Sequence, residues 1–210
     1  GFLSDLHGRD NRTKARAVVD ADGKVHALQV TVHANMGSWL SNFSTFIPTQ
    51  SGSRTLTTVY AIPTASLRVL GVMTNTPAVD AYRGAGRPEA NYVMERLMDM
   101  LADKMGIDRV EIRRRNMITS DQMPFSMVCG GTIDDGEIPE LMDAALGYAD
   151  HNGFKARKAD SESRGMLRGF GLGMYLEQCG GGGDGGVATA GADVEMDEEE
   201  KRAMEEALAL

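Results

Sequence analysis

The order of elements along the chain predicts an α+β fold, with mixed sheets and helices packed on them. Three observations carry this. Residues 12–34 read as two strands joined by a tight turn, residues 89–105 read as a long amphipathic helix, and extended segments lie before and after the helices rather than alternating with them. No internal repeat interrupts that order.

The first strands are Arg12 to Asp20 and Lys24 to Ala34, rich in Val, Ala and Thr, with Asp20-Ala21-Asp22-Gly23 as the hairpin turn. Alternation places Val25, Ala27 and Gln29 on one face. His26, Leu28, Val30 and Val32 fall on the other, which is the more apolar and therefore the buried one. Met36 to Thr58 is polar and aromatic without a period. A stretch of that length is expected to pack on a larger body or to carry function. Leu67 to Met73 is extended and apolar on both faces, which predicts a central strand.

Glu89 to Met105 carries Tyr92, Val93, Leu97, Met98, Leu101 and Met105 as an apolar stripe, with Pro88 in the first turn and Gly106 at the end. Asp108 caps a shorter helix through Val110, Ile112 and Arg113. Ile138 to Ala149 is a third helix, and Arg164 to Glu177 returns to extended structure. A glycine run, Cys179 to Gly186, precedes an acidic helical tail.

Composition narrows the function classes. The 210 residues are 42% hydrophobic and 25% charged, as in an ordinary globular protein. The net charge of −8 argues against a nucleic-acid partner, because phosphate binding needs a basic face. No apolar run is long enough to span a bilayer. The two cysteines, Cys129 and Cys179, are too few for a disulfide scaffold or a zinc site; they fit a reducing compartment, as they would one disulfide. The four histidines lack paired metal spacing. Cys129 reads as a buried, inert thiol, and Arg113-Arg114-Arg115 as surface and interdomain salt bridges with Glu111 and its neighbours. The chain starts at Gly1 without a signal-peptide pattern and reads as a domain or fragment of a longer protein.

The chemistry concentrates at residues 74–90, where a strand ends, a glycine-bearing loop follows and a helix begins. Gly84 and Gly86 permit close approach to the backbone, and Arg83 and Arg87 add positive charge. Together they suggest a cradle for an anion or oxo group at a helix N-terminus. Glu89 in the first turn already uses part of the helix dipole. A tight connection with solvated arginines explains the same residues, and Gly84-Ala85-Gly86 is only a partial dinucleotide loop.

The run from Ala81 to Ala90, with Glu95-Arg96-Leu97-Met98-Asp99, Arg113 to Ile118, Ser4 to Asp10 and Gly131 to Gly136, resembles the molybdenum hydroxylases. These are the molybdopterin-binding large subunits of the xanthine dehydrogenase, aldehyde oxidase and carbon monoxide dehydrogenase family. The resemblance covers about residues 1–190, implying part of a molybdopterin-binding domain followed by the acidic tail, 191–210. It implies an oxidoreductase that hydroxylates an aldehyde or an N-heteroaromatic ring with water-derived oxygen. The cofactor would supply the chemistry and the protein would orient it. Iron–sulfur and FAD groups are implied on partner subunits or domains, in a cytoplasmic hetero-oligomer, with the periplasm an alternative for the full-length protein. Carried over, Tyr82, Arg83, Gly84 and Ala85 are the cofactor-binding residues. No metal ligand and no catalytic residue is assigned, because the family's general-base Glu and its first glycine-rich loop have no match here.

Departures from the family pattern shape the expectation. The copper-bridging Cys of carbon monoxide dehydrogenases is missing from Arg83-Gly84-Ala85-Gly86, which argues against carbon monoxide oxidation. Ala85 stands where xanthine oxidases carry a stacking aromatic, which implies a different or wider pocket. Their substrate-binding Arg falls by spacing near Ser51, with Arg54 the nearest arginine. An incomplete, non-catalytic scaffold or assembly fragment of such a protein is the alternative reading.

Overall fold

Asp20 sets the first turn. Its Oδ1 accepts the amides of Asp22 and Lys24 at 3.0 and 2.9 Å, closing the hairpin between β1 (Asn11–Val19) and β2 (Val25–Gly37). In the computed structural model, which describes residues 4–177, β1 pairs antiparallel with β2. β3 (Thr64–Met73) lies parallel along the other edge of β2, giving the sheet order β1-β2-β3. The central strand is therefore β2. β3, expected there, is an edge among the described residues, with Val72 and Met73 exposed. Aliphatic residues on both faces encode an extended backbone, not a place in the ladder.

Leu28, Val30, Ala34 and Met36 of β2 are buried, the face that alternation predicts. The phase breaks at the start of the strand. Val18 faces Ala27 while Val19 faces Val25, so His26 is an extra residue in a bulge. Val25 is thereby turned inward and His26 outward, the reverse of the expected pair, and His26 Nε2 meets Asp20 Oδ2 at 2.7 Å.

Residues 47–54 form a short helical passage, the π-turn Ile47–Ser51 followed by one turn, α1 (Gly52–Arg54). The long helix α2 (Arg87–Met105) buries Ala90, Met94, Glu95, Met98, Leu101 and Ala102. This line is rotated from the expected stripe. Tyr92 and Met100 are exposed and border an open groove of about 660 Å³ against β1. The rotation follows from Glu95, which counts as polar in a hydrophobic pattern and yet faces inward because Arg113 awaits it.

Arg113 belongs to α3 (Arg109–Asn116), whose N-cap Asp108 accepts the amides of Val110 and Glu111. The arginine triplet is expected to make surface and interdomain salt bridges with Glu111 and its neighbours. Arg114 and Arg115 do pair with Asp143 and Glu111, but Arg113 is completely buried. Its Nε donates to Glu95 Oε2 at 2.8 Å, and Nη2 donates to Asp99 Oδ1 at 2.9 Å and to the Leu172 carbonyl at 3.0 Å. Residues 166–177 thus run over the helices without a strand ladder among the described residues. Asn116, also fully buried, accepts the Val25 amide and donates to the carbonyls of Gly23 and Ile112, each at 2.8 Å, which fastens α3 to the hairpin.

Beyond α3 come a small hairpin of β4 (Phe125–Ser126) and β5 (Thr132–Ile133), then α4 (Ile138–Tyr148) and α5 (Phe154–Ser163). α4 was expected; the hairpin and α5 were not. α5 buries only Ser161, so no apolar period announced it. Ile112, Met94, Met98, Tyr60 and Ile118 form the centre of the core. No helix among the described residues is long and apolar enough to cross a membrane. The glycine run and the acidic tail lie outside the described residues.

Candidate functional site

Three connections meet at one end of the sheet. Asn11 at the start of β1 lies opposite Ala34 near the end of β2, and β3 ends beside Gly37 because it runs parallel to β2. The chain before β1, after β2 and after β3 must therefore emerge together. Asn35 joins the three. Its Nδ2 donates to Asp10 Oδ2 at 2.7 Å and to Thr76 Oγ1 at 3.0 Å, while its Oδ1 accepts Thr74 Oγ1 at 2.7 Å and the Gly37 amide at 2.8 Å. Residue 7 then forms a parallel bridge with Val79: the His7 amide donates to the Ala78 carbonyl at 3.0 Å, and the Asp80 amide to the His7 carbonyl at 2.8 Å.

This framework presents the bend 81–86. Tyr82 and Arg83 are exposed, and Gly84 and Ala85 are half-buried. The Ala81 amide is held by Asp80 Oδ1 at 2.6 Å, and the Ala85 amide by the Tyr82 carbonyl at 2.7 Å. Between them, the amides of Tyr82, Arg83 and Gly84 have no acceptor among the described residues, and neither has the Arg83 guanidinium. Three amides and a guanidinium on one exposed bend form a donor set suited to an anionic, oxygen-rich group. The residues fit the cofactor that the sequence resemblance implies.

The fit differs in detail from the expected cradle. At the helix N-terminus only the Glu89 amide lacks an acceptor among the described residues, since the Arg87 amide donates to the Gly84 carbonyl at 3.0 Å, the Ala90 amide to the Gly86 carbonyl at 3.1 Å, and Pro88 has no N–H. Arg87 is also turned inward, its Nη1 on the Gly84 carbonyl at 3.2 Å. The other free donors lie a few residues earlier. Gly86 serves packing: at φ 97° it abuts the turn 47–54, where a Cβ would come within 2.6 Å of the Ile47 carbonyl and 2.8 Å of the Gly52 amide. The long stretch after β2 thus braces the bend. Ser51 is buried within that brace, its Oγ without a hydrogen-bond partner, whereas Arg54 is exposed.

Two parts of the site escaped sequence reasoning. Arg9 sits under the bend, and Asn35 binds its framework together. Asn35 carried a signal, as a polar residue closing an apolar strand. Arg9 was visible only within the Ser4 to Asp10 motif.

The fold carries backbone amides and a guanidinium together on one bend at an end of the sheet. Residues 1–117 match the family model of the molybdopterin cofactor-binding domain, and the chain belongs to that family. It is 33% identical over 189 residues to the carbon monoxide dehydrogenase large chain of Hydrogenophaga pseudoflava, covering 83% of this chain and 22% of that protein. It is 27% identical over 181 residues to the nicotine 6-hydroxylase large subunit of Paenarthrobacter nicotinovorans, covering 85% of this chain and 22% of that protein. Among solved structures, quinoline 2-oxidoreductase from Pseudomonas putida 86 superposes with a TM-score of 0.72 at 27% identity, covering 78% of this chain and 21% of that one. The chain therefore spans about a fifth of the length of these relatives.

Proposed function

We propose that the chain is the part of a molybdenum-dependent hydroxylase subunit that holds the molybdenum-side ligands of the cofactor, through Arg83 and the amides of Tyr82, Arg83 and Gly84. The observation that carries this is the bend itself: these donors follow one another along it, Tyr82 and Arg83 exposed and Gly84 half-buried, and none has an acceptor among the described residues. Bound there, the cofactor would supply oxidative hydroxylation of an electron-poor carbon. The chain's own contribution is electrostatic and geometric. Amides fixed by the framework of His7, Asn35 and Val79 stabilise negative charge without having to reorient. Arg83 adds a permanent positive charge that no carboxylate among the described residues pairs with.

The substrate class we propose is an N-heteroaromatic ring or an aldehyde. The relatives named for nicotine and quinoline act on N-heteroaromatics, and the small side chain of Ala85 leaves room beside the bend. The absence of a Cys at residues 82–86 argues against copper-assisted carbon monoxide oxidation, although a carbon monoxide dehydrogenase is among the relatives. Iron–sulfur and FAD groups on partner subunits would take the electrons, within a cytoplasmic hetero-oligomer. The relatives named as large chains and subunits support that assembly. Residues 1–190 would form the cofactor-binding portion, and 191–210 an acidic extension.

The test is Arg83→Ala in the full-length subunit. Molybdenum content by elemental analysis is expected to fall on the order of tenfold or more, and turnover with it. Unchanged molybdenum content removes Arg83 from the site.

A further inference from the structure

We infer that Arg9 is the positioning residue of the bend: its guanidinium holds Tyr82 and Arg83 so that the amides of residues 82–84 face outward. The inference rests on the cofactor reading above and adds the device that sets the loop's geometry.

Arg9 makes three contacts there. Its Nη2 donates to the Arg83 carbonyl. Its guanidinium carbon lies 4.9 Å from the centre of the Tyr82 ring. Its Nε lies 3.7 Å from Glu89 Oε2, a buried carboxylate oxygen with no hydrogen-bond partner of its own. One planar cation thus ties the carbonyl of the bend, the aromatic ring at its start and the carboxylate in the first turn of α2. A peptide unit is rigid, so fixing the Arg83 carbonyl on the Arg9 side directs the amide across that same peptide bond, Gly84 N–H, the opposite way.

The backbone around Arg9 is arranged for this task. Arg9 has φ 57°, a left-handed conformation that is unfavourable for a non-glycine residue. Its neighbour Gly8 has no side chain where one would clash, since a Cβ would come within 2.9 Å of Tyr82 Cβ. With the His7 bridge to Val79, residues 7–9 form a strap that follows the bend from its start to Arg83. No other arginine of the described residues reaches the Arg83 carbonyl.

The test uses Arg9→Ala and Arg9→Lys in the full-length subunit, with Arg83→Ala as a second arm. Two readouts are taken: the rate of tryptic cleavage at the Arg83–Gly84 bond before cofactor loading, and the molybdenum content after it. Arg9→Ala is expected to speed that cleavage about fivefold or more, because the carbonyl is released. It should also lower molybdenum content on the order of tenfold, as loss of a supporting contact does at other metal centres. Arg9→Lys keeps the charge near Glu89 but loses the planar fork and the stacking, and should fall between the two. If Arg9→Ala does not accumulate, the lysine variant alone decides by the same two readouts. Unchanged cleavage overturns the inference. So does faster cleavage with full molybdenum content while Arg83→Ala loses its metal; that outcome leaves the cofactor reading standing. Full molybdenum content in both Arg9→Ala and Arg83→Ala overturns the cofactor reading, and the inference with it.

Discussion

Glu95 Oε2 lies 2.8 Å from Arg113 Nε in the interior of the protein, with the arginine side chain fully enclosed. Burial pulls the guanidinium pKa down, but the charge of Glu95 and the bonds to Glu95 and Asp99 outweigh it, so the net shift is upward and Arg113 stays charged. Tyr60 donates its hydroxyl to the same carboxylate, and burial, followed by Glu95, pushes its ionisation well above the ordinary value. This cluster joins α2, α3, residue 60 and the segment at Leu172.

Removing Arg113 strands Glu95 without its counter-ion. Arg113→Ala is expected to cost about 3–5 kcal/mol, read as a lower midpoint in urea denaturation. Arg113→Lys should recover less than half of that, because one ammonium cannot serve Glu95, Asp99 and the Leu172 carbonyl together.

Asn116 makes three buried bonds to backbone groups, two of them in the hairpin. Asn116→Ala leaves the Val25 amide and the Gly23 carbonyl unsatisfied and should cost about 2–4 kcal/mol by the same measurement. Asn116→Asp should cost at least as much, since the carboxylate keeps the Val25 amide but sets a buried negative oxygen against the Gly23 and Ile112 carbonyls that Nδ2 served.

Gly86→Ala places a methyl group against the Ile47 carbonyl and the Gly52 amide at φ 97°. A loss of about 2–4 kcal/mol is expected, together with weaker cofactor retention. Ala85, at φ 38°, behaves in the opposite way: Ala85→Gly should gain up to about 1 kcal/mol by relieving the left-handed strain. Paired denaturation curves for the two variants check both signs.

Cys129 is held in an environment whose burial raises its thiol pKa from 9.0 to about 11. At pH 8 the reactive thiolate fraction is then roughly a hundredfold below that of an unperturbed cysteine. Alkylation of Cys129 by iodoacetamide, followed by peptide mass spectrometry, should be slow at pH 8 and still rising at pH 10. Cys129 is half-buried and not the enclosed thiol expected, and rapid labelling at pH 8 would contradict its raised pKa.

The parts of the fold legible in the sequence were those with a local cause. The Asp20–Gly23 turn, the Asp108 cap and the limits of α2 rest on residues within a few positions of one another. What escaped depends on distant partners. Glu95 is inward only because Arg113 is there, His26 points outward only because a bulge shifts the register, and β3 is an edge only by virtue of what pairs with it. The site divides in the same way. The turn before α2 was legible from Gly84 and Gly86. The inward turn of Arg87, the internal bond of the Ala85 amide and the role of Arg9 all depend on contacts made by folding.

The like direction of β2 and β3 has a consequence for how such a protein can change. The connections that leave these two strands can lengthen, shorten or alter in sequence while the ladder between Ala27 and Met73 keeps its pairing. Within residues 38–46, the exposed side chains of Trp39, Leu40 and Asn42 are the natural place for a protein engineer to graft new binding specificity, because Ser38 and Ser41 of the same segment bond Thr76 and Val79 in the bend's framework.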